Sequence, residues 1–269
     1  GGNEIGDEGV KAIASAPCMA HLTTLDLCEV KMSEDGVRAI ATSKHLRQLS
    51  SLNLNFNQIG EEGAKAFAKS PGLAQLTTLH LSKNSIGCQG ARALAQSPHM
   101  AHLTKLDVSY NSLGCEGVRA LAQSPYMSRL TSLTLEGRFV GEEGAQLIGD
   151  DGANILACSS HLAQLTKLSL SHNEIGQECA RSLAQSAQRS RLRVLGLYGN
   201  KVGDQGAKAL AQSARLPPRP SRQRRPLLLP GLPAARKDGR ASRLWQHPIC
   251  ARRSSFNRPS AADLLLQQH

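Results

Sequence analysis

Aromatic residues make up only 3% of the 269-residue sequence: four Phe, three Tyr and one Trp. A core must then be assembled from Leu, Ile, Val and Ala. No apolar run approaches the roughly 20 residues needed for a membrane-spanning helix. The opening GGNEIGDEGV lacks the basic start and apolar stretch of a secretory leader. No Met begins it, so the true N-terminus is left open. Seven cysteines, an odd number, show no CxxC spacing. A structural zinc site needs four converging ligands, so the cysteines read as mostly reduced thiols.

The net charge of +11 hides an asymmetry. From Ala214 to His269 there are 12 Lys and Arg against 2 acids, whereas the first 213 residues hold 20 bases and 19 acids. A neutral body carries a strongly basic tail, and the two are read separately.

The body is periodic. Units begin at Leu22, Leu49, Leu76, Leu103 and Leu130, each 27 residues after the last, then at Leu165 and Leu192. Each opens as LxxLxLxxN, as in LSSLNLNFN from Leu49 or LTKLDVSYN from Leu103. The alternation in LxL predicts a short strand with one buried face. The Ala64, Phe67, Ala68 spacing that follows predicts a helix. Glu61 and Glu62 suit that helix's positive end, and Pro71, Pro98 and Pro125 stop their helices. Each closing Asn, such as Asn57, Asn84 or Asn111, has a side chain able to bind backbone where the chain turns. One unit cannot bury its own apolar face, so units must stack. The expected fold is an α/β solenoid of about eight units, the first partial, curved into a horseshoe. A parallel sheet lines the concave side and helices the convex side.

The chain therefore resembles leucine-rich-repeat proteins of the ribonuclease-inhibitor-like subclass. More narrowly it is similar to bacterial GALA-type repeats, through GARALA at 90–95, GVRALA at 117–122, GAKALA at 206–211, GAKAFA at 63–68, GVRAIA at 36–41 and GVKAIA at 9–14. The resemblance covers residues 1–213. It implies protein binding, and in plant-pathogen effectors such repeats are joined to an F-box, a segment not visible in this sequence. Similar repeats also occur in free-living bacteria. A cytoplasmic location and secretion into a host cell both remain open.

Solenoids bind through exposed strand positions. The eighth positions run Glu29, Phe56, Lys83, Tyr110, Gly137, His172, Gly199, and the fifth run Asp26, Asn53, His80, Asp107, Thr134, Ser169, Gly196. Strands lie about 4.8 Å apart, so Phe56, Lys83 and Tyr110 should sit side by side with His80 and Asp107 next to them. With His172 and Tyr198 these form the candidate partner-binding set, since binding hot spots favour aromatics. An ordinary solvated surface is the competing reading. His80, His172 and Asp107 with Ser82, Ser109 or Ser171 supply the residue types of a hydrolase. They spread over several strands, though, and no GxSxG turn is present. No catalytic role, cofactor, metal or small-molecule substrate is expected. Cys88 and Cys115 occupy equivalent places in adjacent units. Helices there should stand on the order of 10 Å apart, beyond the roughly 7 Å a disulfide spans, so both are expected free.

Two features break the period. Gly141–Ile148 is nearly repeated by Gly149–Leu156, and the unit from Leu130 is 35 residues long against 27. Eight residues turn a helix about 80° beyond two full turns. A break is therefore expected near Gly149, with one copy in register and the other bulging on the convex side. Tolerated replication slippage and a dedicated epitope both fit. Residues 214–269 lose the repeat and hold eight of the twelve prolines. This basic, Pro-rich tail is expected to be disordered. Arg215, Arg219, Arg222, Arg224 and Arg225 could hold nucleic acid or an anionic membrane by charge. Alternatively the tail is an out-of-frame translation, or the whole chain is a truncated fragment without function.

Overall fold

The computed structural model describes residues 2–137, 147–186 and 191–213. The chain divides into two units, Gly1–Pro220 and Ser221–His269. The second lies outside the described residues, and so do the disorder expected of the tail and its boundary at 213/214.

Among the described residues, seven strands alternate with eight α-helices. The strands are β1 (Thr24–Asp26), β2 (Ser51–Asn53), β3 (Thr78–His80), β4 (Lys105–Asp107), β5 (Ser132–Thr134), β6 (Lys167–Ser169) and β7 (Val194–Gly196). The helices are α1 (Gly6–Ser15), α2 (Glu34–Thr42), α3 (Gly60–Ala68), α4 (Gly87–Gln96), α5 (Gly114–Gln123), α6 (Gly149–Cys158), α7 (Gln177–Gln185) and α8 (Gly203–Ser213). The strands pair in chain order, all parallel, with Leu25, Leu52, Leu79, Leu106, Leu133, Leu168 and Leu195 in one register. This is the expected solenoid.

The core is a set of columns, one residue from each unit. Leu52, Leu79, Leu133 and Leu168 are fully buried, as are Leu49, Leu76, Leu103, Leu130 and Leu165. Burying one such Leu is worth roughly 1.5–3 kcal/mol. Small residues let the helices approach. A Cβ on Gly90 would lie 2.9 Å from the Ala64 Cβ, and one on Gly117 would lie 3.3 Å from the Ala91 Cβ. At the matching place in α7 stands Cys179, fully buried.

Three hydrogen-bond ladders tie unit to unit. The strand-ending Asn is the most connected. Asn111 Oδ1 accepts from the N–H groups of Asn84 (2.8 Å) and Ile86 (3.2 Å), while its Nδ2 donates to the carbonyls of Leu81 (2.7 Å) and Ser109 (2.9 Å). Asn57, Asn173 and Asn200 bridge neighbouring units in the same way. Asn84 donates to Leu54, Leu81 and Ser82, but its Oδ1 is buried without a partner. The serine before each loop forms a second ladder. Ser70 donates to the Ala41 carbonyl (2.5 Å), Ser97 to that of Ala68 (2.5 Å), and Ser124 to that of Ala95. The following Pro then opens a single 3₁₀ turn, as at Pro71–Leu73 and Pro98–Met100. Threonines form the third: Thr77, Thr104, Thr131 and Thr166 each donate to a carbonyl one unit back.

The doubled phrase is resolved in favour of its second copy. Ile148 is buried in the column of Ile59 and Ile86. Gly149 opens α6 with φ +61°, matching +65° at Gly60 and +60° at Gly87. That left-handed conformation costs a glycine little, and it aims the Gly149 N–H at the Asn173 carbonyl (3.1 Å). Most of the first copy, residues 141–146, and Arg138 lie outside the described residues, so the expected convex bulge does too. Cys88 and Cys115 are both free.

Two measurements follow. Asn111→Ala leaves two buried backbone N–H groups unpaired, at about 1–3 kcal/mol each. Asn84→Ala orphans no N–H. Urea unfolding should show Asn111→Ala to be the more damaging by at least about 1 kcal/mol; equal losses contradict the ladder. Burial, reinforced by the Asp150 charge, pushes the Cys179 thiol up to about 12. Iodoacetamide at pH 8 should therefore modify exposed Cys18 and Cys158 and spare Cys179 until the chain unfolds. The sign is that of a raised value. The neutral thiol's contribution to stability is fully present below the unfolded thiol range near about pH 8.5 and is lost as pH climbs toward the folded value.

Candidate functional site

The strand ends force an unusual backbone. At the eighth position Glu29, Phe56, Lys83, Tyr110 and His172 have φ between +56° and +59°. A residue with a Cβ pays roughly 1–2 kcal/mol for this region. Glycine would adopt it cheaply, and Gly199 does so at its equivalent place with φ +69°. Bulky side chains instead stand up from successive strands at this one row.

Three neighbours of the row are in contact. Lys83 Nζ lies 4.6 Å from the centroid of the Phe56 ring and 5.3 Å from that of Tyr110. Each contact is worth about 0.5–1 kcal/mol at an exposed site. Phe56 is 48% exposed and Lys83 is also exposed. No carboxylate touches Lys83 among the described residues. Beyond Tyr110, Glu136 accepts from the phenol (3.3 Å) and from the Ser169 hydroxyl (2.7 Å). Burial and the Glu136 charge raise the Tyr110 phenol above its ordinary value.

A polar row runs beside it. Asn53 donates to Asp26 (3.0 Å), and His80 Nδ1 lies 3.9 Å from Asp107 Oδ2, longer than a hydrogen bond. Asp107 Oδ1 accepts from the hydroxyl (2.7 Å) and N–H (3.0 Å) of Ser109. Burial raises the Asp107 carboxyl, but the His80 imidazole and the two Ser109 bonds outweigh it and hold it below the usual carboxylate range. The Cys28 N–H does most to lower Asp26, against the opposing effect of burial, with Asn53 adding to it. The Ser109 proton is thus directed to a carboxylate of lowered basicity and not to an imidazole, a weak base for activating a nucleophile. The cavity under Tyr110 holds about 20 Å³, room for one water and not for a substrate.

His172 and Tyr198 meet edge to face, with ring centroids 5.1 Å apart. Tyr198 is 75% exposed. The unit containing Gly137 stands between this pair and Tyr110, so the seven candidate residues form two clusters and not one. Glu136 was absent from the candidate set. Its place at the seventh position, next to the Tyr110 strand, was the signal available.

Six segments, residues 1–14, 45–68, 74–95, 99–122, 161–184 and 192–211, match the family model described as Leucine Rich repeat. Together with the parallel seven-stranded sheet, the array has the architecture of a leucine-rich-repeat solenoid. Among solved structures the array is similar to an internalin from Listeria monocytogenes, at 21% identity and TM-score 0.43, over 73% of this chain and 54% of that one. It is also similar to a chain of the yeast Rad7 and Elc1 complex, at 18% identity and TM-score 0.38, over 77% of this chain and 64% of that one. The chain thus spans about half to just under two thirds of the length of these neighbours. No curated protein matches it.

The depressed Asp107 carboxyl sets an acid limb. Its stabilisation is fully present above the unfolded carboxylate range near about pH 4 and is lost as pH falls further, toward the lower folded value. Thermal melts of Asp107→Asn should lose less stability between pH 4 and pH 2 than wild type. Parallel curves would show that Asp107 carries no such linkage.

Proposed function

We propose that the leucine-rich-repeat array is a non-catalytic scaffold that binds a protein partner through its concave face. The observation that carries the reading is Lys83 clasped between Phe56 and Tyr110 on backbone that disfavours all three. The turn itself requires that backbone and Gly199 fills the same place, so it is the aromatic and cationic side chains carried there that point to recognition. His80 and Asp107 flank the row, and His172 with Tyr198 forms a second contact two units on. The ribonuclease-inhibitor-like, GALA-type character of the units belongs to the same proposal, and with it a bacterial source and an effector role in a host cell. Its support is the six GAxALA-like segments. The tail's 12 bases against 2 acids support a second reading, attachment to nucleic acid or an anionic membrane.

The two readings separate in one experiment. In pull-downs with the full chain, Phe56→Asn/Tyr110→Asn should weaken partner capture at least tenfold. Asn tolerates the left-handed region, so the melting point should move by less than about 4 °C, the equivalent of 1 kcal/mol at this size. Deleting 214–269 should leave capture intact. Should the double variant keep every partner, the concave row is not the binding surface. Salt-sensitive DNA or liposome binding lost with the tail would favour the second reading.

A further inference from the structure

We infer that the partner segment seated on the Phe56–Lys83–Tyr110 row is an α-helix lying across the strands. It carries an acidic residue at its centre, apolar residues one turn to either side, and basic residues one turn further out. The inference rests on the concave-face reading and adds the partner's chemistry.

Charge and chemistry alternate along the row. Glu29, on the first strand's exit, is exposed and has no ion-pair partner among the described residues. Phe56 follows, then unpaired Lys83, then Tyr110; in the next unit, where the row position is Gly137, the half-buried Glu136 at the seventh position reaches the Tyr110 phenol and closes the run. The order is anion, ring, cation, ring, anion. Lys83 is the one cation in this run, and both its neighbours are aromatic faces, so its charge is left for something that docks from above. An acidic side chain there gains the ammonium. Apolar side chains on either side gain the rings. Basic ones beyond them gain the two carboxylates.

Spacing selects the secondary structure. Five successive strands span about 19 Å across the sheet, four steps of about 4.8 Å. A helix presents one face every turn, about 5.4 Å, so four turns run about 22 Å and stay near register throughout. An extended peptide presents the same face about every 6.6–6.8 Å. Over four steps it overshoots by about 8 Å, more than one whole strand spacing. A helix of about 15 residues is long enough for the whole row.

The test uses the full chain and two phage-displayed libraries. One holds random peptides of about 15 residues on a helical template, and the other unstructured random peptides. Wild type should enrich helical clones with Asp or Glu at the centre, apolar residues three or four positions away on both sides, and Lys or Arg about seven away. Selection on Lys83→Glu should replace the central acid with Lys or Arg. A consensus that is extended, absent, or unchanged on Lys83→Glu overturns the inference. If the Phe56→Asn/Tyr110→Asn variant loses its partners while the libraries fail, the helix falls and the concave reading stands. If that variant keeps every partner, both fall.

Discussion

Everything in the array depends on one shortage. The loop that leaves each strand has backbone N–H and carbonyl groups that its own unit cannot satisfy, and buried groups of this kind must be paired. The strand-ending asparagine supplies both kinds of partner at once, taking two N–H groups with its oxygen and giving its amide to carbonyls of two units. An Asp in its place would offer no donor and a Leu neither. The repeat length is therefore held by polar chemistry as much as by leucine burial. The hydrophobic columns supply most of the energy, while the asparagines fix which loop meets which.

The same turn creates the surface proposed for binding. To bring the asparagine inward, the residue before it must swing into left-handed backbone, which lifts its side chain onto the concave rim. Phe56, Lys83 and Tyr110 stand in a row because each precedes an inward asparagine, Asn57, Asn84 or Asn111. The buried ladder and the exposed row are two sides of one turn. Substitutions in the row can change recognition without touching the columns beneath.

Much of this was legible in the sequence. LxL alternation predicts the strands, the 27-residue step predicts the parallel register, and counting positions places Phe56, Lys83 and Tyr110 together. What stayed hidden depends on angles and hydroxyl directions. Ser70, Ser97 and Ser124 stand beside the prolines that stop the helices, but a repeated serine does not say that it reaches the carbonyl one unit back. His80, Asp107 and Ser109 were visible as neighbours, but not that Ser109 gives its proton to the carboxylate. Counting also grouped His172 and Tyr198 with the central row, although a unit with glycine at the display position intervenes.

The doubled phrase shows which constraint yields first. Both copies offered Gly, two acids and a following Gly-Ala, so composition could not choose between them. The choice follows from direction along the chain. β6 and α7 must stack on whatever α6 presents, and the serine and asparagine ladders on that side count backward from Leu165: Ser159 reaches Ala122, and Asn173 reaches the Ile148 N–H. Only the second copy satisfies both distances. Extra residues placed after α6 would shift every later partner. Extra residues between β5 and α6 shift none, since Leu133 still pairs with Leu168. The loop-closure cost of added length grows only slowly, whereas a slipped ladder strands buried polar groups at full cost. The insertion is therefore tolerated ahead of the helix, where the array asks only that the chain return in register.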